Sequence, residues 1–285
     1  FAIDMARTIG RENPAQRRLP ALMASRQRSF AVGVHDMIVA VTLVPTHDAV
    51  RIERMGIGSE DAGRARALAA SVTGRLGSDA QFAIGASESG NALASRLAGR
   101  DDPAFLVARD PSNGSGFDVD VGASVAVRQA FGPWGVTFAV ENGDVLTRRD
   151  TSLAGLKWKP ERFGYGRATL GIDRRLAGLR AGMTLTRLSE ADSLLGARFS
   201  GALGAARATS WFVDFGARYA LGEGWSLGGS MRQGWTFARL RGGVDGSGLV
   251  RTNGFAADVG KAGVFDARDR FGLRIAQPLR VASGG

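Results

Sequence analysis

Residues 117–128 read FDVDVGASVAVR, and the fold follows from how they alternate. Phe117, Val119, Val121, Ala123, Val125 and Val127 share one parity, while Asp118, Asp120, Gly122, Ser124, Ala126 and Arg128 take the other. Successive side chains of a strand point to opposite faces, so this pattern is a strand with one apolar and one polar or small face. At about 3.3 Å per residue and a tilt near 40°, about eleven such residues rise roughly 28 Å, enough to cross a hydrocarbon layer. Strands of soluble proteins mostly stop at about five or six residues.

The same period of two returns downstream. In 211–221, Trp211, Val213, Phe215, Ala217, Tyr219 and Leu221 oppose Asp214, Gly216 and Arg218. In 225–235, Trp225, Leu227, Gly229 and Met231 oppose Ser226, Ser230 and Arg232. Leu179 to Leu185 alternate with Arg180 and Thr184, Ala168 to Ile172 with Arg167, Thr169 and Asp173, and Phe271 to Ile275 with Arg274. Weaker versions occupy 37–44, 66–75 and 80–87. Short connections at Gly132-Pro133-Trp134-Gly135, Arg174 to Gly178 and Gly222-Glu223-Gly224 alternate with long polar stretches at 147–164, 188–210 and 237–252. Strict alternation of short and long connections is the arrangement of transmembrane barrels, with short periplasmic turns and long extracellular loops.

The expected fold is therefore all-β: an antiparallel up-and-down transmembrane β-barrel of the outer membrane. Residues 111–285 are expected to supply its strands, and 1–110 a β-rich juxtamembrane or linker region. That first part is less regular. It contains an Arg-, Pro- and Gln-rich loop at 8–28, a tight hairpin turning at His35-Asp36, and a short helix near 90–98 that ends at Gly99 before Asp101-Asp102-Pro103. The abrupt apolar start at Phe1 and the ending Ala282-Ser283-Gly284-Gly285 give the further expectation that the barrel is incomplete in this chain.

Composition agrees with this. There are 41 Gly and only 8 Pro in 285 residues, and Gly without a collagen period suits turn-rich β structure better than helix. No Cys is present, so disulfides and thiolate metal sites are excluded. The net charge is +10, and nearly every basic residue is Arg. These charges mostly stand singly among Gly and apolar residues, without the basic block or motif that marks a nucleic-acid binder. Apolar runs such as Met37 to Val44 fall short of the roughly 20 residues of a membrane helix.

Catalytic chemistry finds little support. The only two histidines are His35, in a turn, and His47, in a polar loop, and neither sits beside a nucleophile elbow. No metal-ligand spacing and no cofactor motif appear; the Gly-rich run Arg241 to Gly248 lacks the Lys-Ser/Thr ending of a phosphate loop. The chain is expected to be no enzyme, with no cofactor. The residues that stand out line the polar parity instead: Asp118, Asp120, Arg128, Arg167, Arg180, Arg218, Arg232 and Arg274 are expected to face a wet, basic lumen. Such a lumen suits either anion selection or the holding of an acidic plug segment. Trp134, Trp211, Trp225 and Trp235, with Trp158, lie near strand ends and are expected to form aromatic girdles.

Several stretches resemble a family. Phe1 to Thr8 (FAIDMART), Ala65 to Gly90, Asp101 to Pro111 (DDPAFLVARDP), 130–149 and 249–282 are similar to the C-terminal region of subtilisin-like serine proteases of alphaproteobacteria. The resemblance implies an autotransporter-like barrel of about a dozen strands that anchors a protease passenger, with the passenger and the barrel-assembly machinery as partners beside outer-membrane lipid. The protease's nucleophile motif is absent here, so no catalytic role passes to any residue of this chain, and the terminal aromatic strand of such barrels is not matched either. The expected function is a non-catalytic translocator or anchor. A general outer-membrane porin with a basic lumen, or a soluble β-rich interaction module, are the alternatives.

Overall fold

A computed structural model describes residues 26–32, 37–45, 65–100, 117, 119–147, 161–197, 205–241, 246–264 and 270–284. The chain divides into two units, Phe1–Thr73 and Gly74–Gly285. In the first, β1 (Arg26–Val32) pairs antiparallel with β2 (Met37–Pro45), and β2 pairs with β3 (Ala65–Arg75). These are the expected hairpin and the weak strand at 66–75; the His35-Asp36 turn, His47 and the loop at 8–25 lie outside the described residues, as does the expected boundary at 110–116.

The second unit carries β4 (Ala80–Ala86), α1 (Gly90–Leu97), β5 (Val119–Phe131), β6 (Trp134–Thr147), β7 (Glu161–Leu176), β8 (Leu179–Ala191), β9 (Ala205–Gly222), β10 (Trp225–Arg241), β11 (Gly246–Ala262) and β12 (Arg270–Gly284). From β4 onward each described strand pairs antiparallel with its neighbours in sequence, an up-and-down meander. From β5 onward the strands run 13 to 18 residues, beyond the roughly 9–11 that a tilted strand needs to cross a bilayer.

The faces of these strands are inverted relative to a soluble protein. Leu170, Met183, Phe215, Leu227, Met231 and Phe255 stand exposed on one face. Ser124, Thr137, Glu141, Thr169, Thr186, Ser210, Asp214, Arg232 and Thr236 are buried on the other. The contrast on β10 decides the matter: Met231 is 50% exposed, and its neighbour Arg232 is 2% exposed. Water would reverse this arrangement, since burying charge and exposing a continuous apolar face both cost free energy; a hydrocarbon solvent favours it. The unit is a wall of an outer-membrane β-barrel protein, apolar toward lipid and polar toward its interior. The sheet curls about the polar face, where Leu279 of β12 packs against Val145, Tyr165, Leu188 and Phe212 of β6 to β9.

Connections at one end are two-residue turns: Gly132-Pro133, Ala177-Gly178 and Glu223-Gly224. In the last of these Glu223 and Gly224 both have positive φ, 48° and 81°, the conformation whose twist suits a tight hairpin. At the other end, 148–160 and 192–204 are long, as expected. The third expected long loop, 237–252, is not one. There β10 runs on to Arg241 and β11 starts at Gly246, paired through Leu240 and Gly246. Backbone ladders continue past the apolar band, where Arg and Gly replace apolar side chains and the alternation fades. The length alternation therefore stops there, since 263–269 between β11 and β12 is the longer of the last two connections.

A second correction concerns the segment 117–128 itself. Val121 pairs with Gly143 and Ala123 with Asn142, so Gly122 is an extra residue, a β-bulge. The bulge exchanges the faces of everything before it. Val119 turns inward onto Val145, and Asp120, expected in the lumen, lies opposite Asp144 on the other face. There Arg162 bridges both acids at 3.0 and 3.6 Å, and all three are well exposed. Asp118 lies outside the described residues.

Candidate functional site: an ion-paired interior latched to a short helix

Strand register stacks the interior side chains in rows across the sheet. One row runs Ala83, Ala126, Ala139, Thr169, Thr186. Its three alanines form a flat floor, and α1 lies on it with Leu93 and Ala94 buried. This helix begins where Ser89 caps it, accepting a hydrogen bond from the Ala92 amide at 3.1 Å, and ends before Gly99 at φ +59°. Of the two ends, the one at Gly99 is the one the sequence predicts.

Both ends of α1 are latched to the interior wall. At the first turn the Gly90 amide donates to Glu141 Oε2 at 2.6 Å, and the Ser124 hydroxyl donates to the Glu88 carbonyl at 2.6 Å. Glu141 also accepts from the Tyr165 hydroxyl at 3.0 Å and pairs with Arg167 at 3.0 Å. Past the last turn Arg175 donates to the Ala98 carbonyl, and Arg180 to the Gly99 carbonyl at 2.7 Å. A carboxylate on the amides of the N-terminus and cations on the carbonyls beyond the C-terminus both match the helix dipole. Beside α1, Asn91, Ser95, Arg100, Thr184 and Asp214 line a small cavity against β8 and β9.

The interior arginines are largely neutralised. Arg128 forms a two-pronged pair with Asp173, with Nη2 to Oδ2 at 2.9 Å, and also donates to the Thr137 hydroxyl at 3.2 Å. Arg232 pairs with Asp214 through two contacts, and Asp214 accepts a third bond from Thr184 at 3.0 Å. Asp258 sits between Arg218, at 2.8 Å, and Arg274, at 2.9 Å. At the short-turn end the register sets Arg175, Arg180 and Arg218 side by side, followed across Gly228 by Asp258 and Arg274.

Of the expected lumen residues, Arg128, Arg167, Arg180, Arg218, Arg232 and Arg274 are thus all on the interior face. They face carboxylates and helix carbonyls rather than forming an unpaired basic lining. Arg180, together with Arg175, donates to main-chain carbonyls just past α1 rather than to acidic side chains. Glu141, Asp173, Asp214, Asp258 and Arg175 complete the network, and parity along one strand does not single them out. Their signal lies in facing an Arg one or two strands away, which only the register reveals.

The tryptophans separate into two levels on the lipid face. Trp134 and Trp225 begin β6 and β10 at the short-turn end, with Arg174 4.8 Å over Trp134 and Lys261 5.3 Å over Trp225. Trp211 and Trp235 pair with each other toward the long-connection end. Ten residues of β10 separate Trp225 from Trp235, roughly 25 Å along the membrane normal at a 40° tilt, the height of an apolar band between two girdles. Trp158 lies outside the described residues. Among the described residues no cluster of His, Asp and Glu has the arrangement of a metal site.

No family model and no curated protein matches the chain. Among solved structures it is similar to OmpT, an outer membrane protein of Vibrio cholerae, with 9% identity and a TM-score of 0.40 over 89% of this chain and 70% of that one. It is also similar to an anion-selective porin from Comamonas acidovorans, with 13% identity and a TM-score of 0.34 over 89% and 77%. The fold assignment rests on the chain's own sheet and its inverted faces.

Proposed function

We propose that this chain is the outer-membrane anchor and translocator of a secreted passenger, and that it is not itself an enzyme. The carrying observation is the interior: α1 is latched at both ends to the polar wall, and the wall's arginines are spent on internal carboxylates and helix carbonyls. Such an interior holds a segment of chain in place, which suits an anchor that stays closed once its passenger is outside. Twelve strands among the described residues agree with the dozen or so that the resemblance to subtilisin-like autotransported proteases implies.

The channel reading draws on one observation of its own, the interior row Arg175, Arg180, Arg218 and Arg274 with Asp258 as its only acid. Rings of arginine select anions in pores. The two readings part in a planar bilayer. An anchor sealed by α1 gives little steady conductance, and conductance appears when Arg175 and Arg180 are changed to Gln. A channel conducts chloride in the unaltered protein. In cells, the anchor reading expects an epitope joined upstream of Phe1 to reach the surface, and an epitope retained in the periplasm would overturn it.

A further inference from the structure

The lipid-facing side of β8 to β11 carries a charge arrangement that the anchor reading does not use. Every carboxylate of these strands, Glu190, Asp214 and Asp258, is buried on the interior face. On the outward face, at the long-connection end, four exposed arginines stand together: Arg187, Arg207, Arg239 and Arg251. Register places Arg187, Trp211, Trp235 and Arg251 in one row across the four strands. Two rows further out, Arg207 lies directly opposite Arg239. Arg187 also stacks 6.0 Å over Trp211.

Like charges directly opposite each other destabilise a sheet unless something neutralises them. The interior shows how this chain handles the problem when it supplies the counter-charge itself. Arg180 and Arg218 are also directly paired, and there Arg218 meets Asp258 while Arg180 meets the Gly99 carbonyl. Outside, among the described residues, Arg207 and Arg239 have no carboxylate partner. The anion must come from elsewhere.

Its chemistry is set by what lies next to the patch. Below the Arg187–Arg251 row the same face continues into Met183, Phe215, Met231 and Phe255, all exposed to hydrocarbon. A ligand fitting both regions has acyl chains against these side chains and phosphate at the guanidinium level, which Arg engages with paired donors. At strand spacings of about 4.8 Å and about 3.3 Å per residue, the arginines span roughly 14 by 13 Å, the footprint of a sugar-sized head group rather than a single small ion. Long connections mark the extracellular end of such sheets.

We infer that the outward face of β8 to β11 is a binding site for a phosphorylated glycolipid of the outer leaflet, held by Arg187, Arg207, Arg239 and Arg251 over Trp211 and Trp235. The inference rests on the membrane reading of the fold, and its test separates the two. The folded protein in a neutral detergent is given lipid A, a diphosphorylated acylated glucosamine disaccharide, and retention is read by native mass spectrometry. The expected result is a one-to-one complex that survives detergent removal. The double change Arg207→Gln and Arg239→Gln weakens it roughly 30-fold, from two cations lost at an anionic surface. Arg174→Gln with Lys261→Gln, at the other rim, leaves it unchanged.

Equal retention by all three proteins would overturn the site, as would displacement of the lipid by millimolar inorganic phosphate. Failure of the membrane reading shows separately, as loss of the heat-dependent gel shift of the unaltered protein before any lipid is added.

Discussion

Arg232 on β10 and Asp214 on β9 stand directly opposite each other, and both are buried, with Nε to Oδ1 at 2.6 Å and Nη2 to Oδ2 at 2.9 Å. Their side chains point away from lipid while Phe215 and Met231, one residue along on each strand, point into it. That relationship defines the wall. A buried pair contributes through its completeness: removing one partner strands a charge at a cost of about 3–5 kcal/mol, whereas removing both is far milder. Asp214→Ala is therefore expected to destabilise strongly, and Asp214→Leu with Arg232→Met to recover most of the loss. Denaturant unfolding in detergent micelles, followed by tryptophan fluorescence, measures both.

The latch on α1 predicts a local effect. Arg175→Gln with Arg180→Gln removes the cations at the Ala98 and Gly99 carbonyls. Hydrogen exchange of the amides of α1 is expected to rise at least tenfold, with those of β7 and β8 unchanged apart from the turn at Ala177-Gly178. Exchange that stays slow in α1 would show that the alanine floor alone holds it.

Space inside the wall is kept by particular glycines. A Cβ on Gly228 would lie 2.6 Å from Arg218 Nη2 and 2.8 Å from Asp258 Oδ2, inside the three-residue ion network. Gly228→Ala is expected to lower the midpoint of the heat-dependent gel shift, at a cost of about 1–3 kcal/mol from overpacking. Gly164→Ala, where a Cβ meets nothing within 4 Å, is the matched control and leaves the midpoint in place.

What the sequence revealed and what it hid follow from range. Parity along 211–221 and 225–235 gave the correct faces because lipid on one side and packed polar groups on the other impose a two-residue period on each strand separately. Gly99 marks the end of α1 in the sequence because a helix stop is local. The bulge at Gly122 left no such mark. The alternation of 117–128 looks unbroken across it, so parity puts Val119 and Asp120 on the wrong faces, and only the pairing of Val121 with Gly143 reveals the extra residue. The ion pairs were hidden for the same reason: that Arg128 would find Asp173, two strands away, depends on the register of β5, β6 and β7 together.

The central claim is that the apolar face of this sheet meets lipid, and the absence of Cys makes it directly measurable. Single cysteines at Leu227, Met231, Phe215 and Phe255 on the outward face, and at Ser230 and Ala256 on the interior face, can each carry a nitroxide in the bilayer-reconstituted protein. The account predicts high collision with oxygen and low collision with an aqueous nickel complex at the first four, and restricted access to oxygen at the last two. Nickel access equal to or above oxygen access at Leu227, Met231, Phe215 and Phe255 would contradict it, because that face would then be in water.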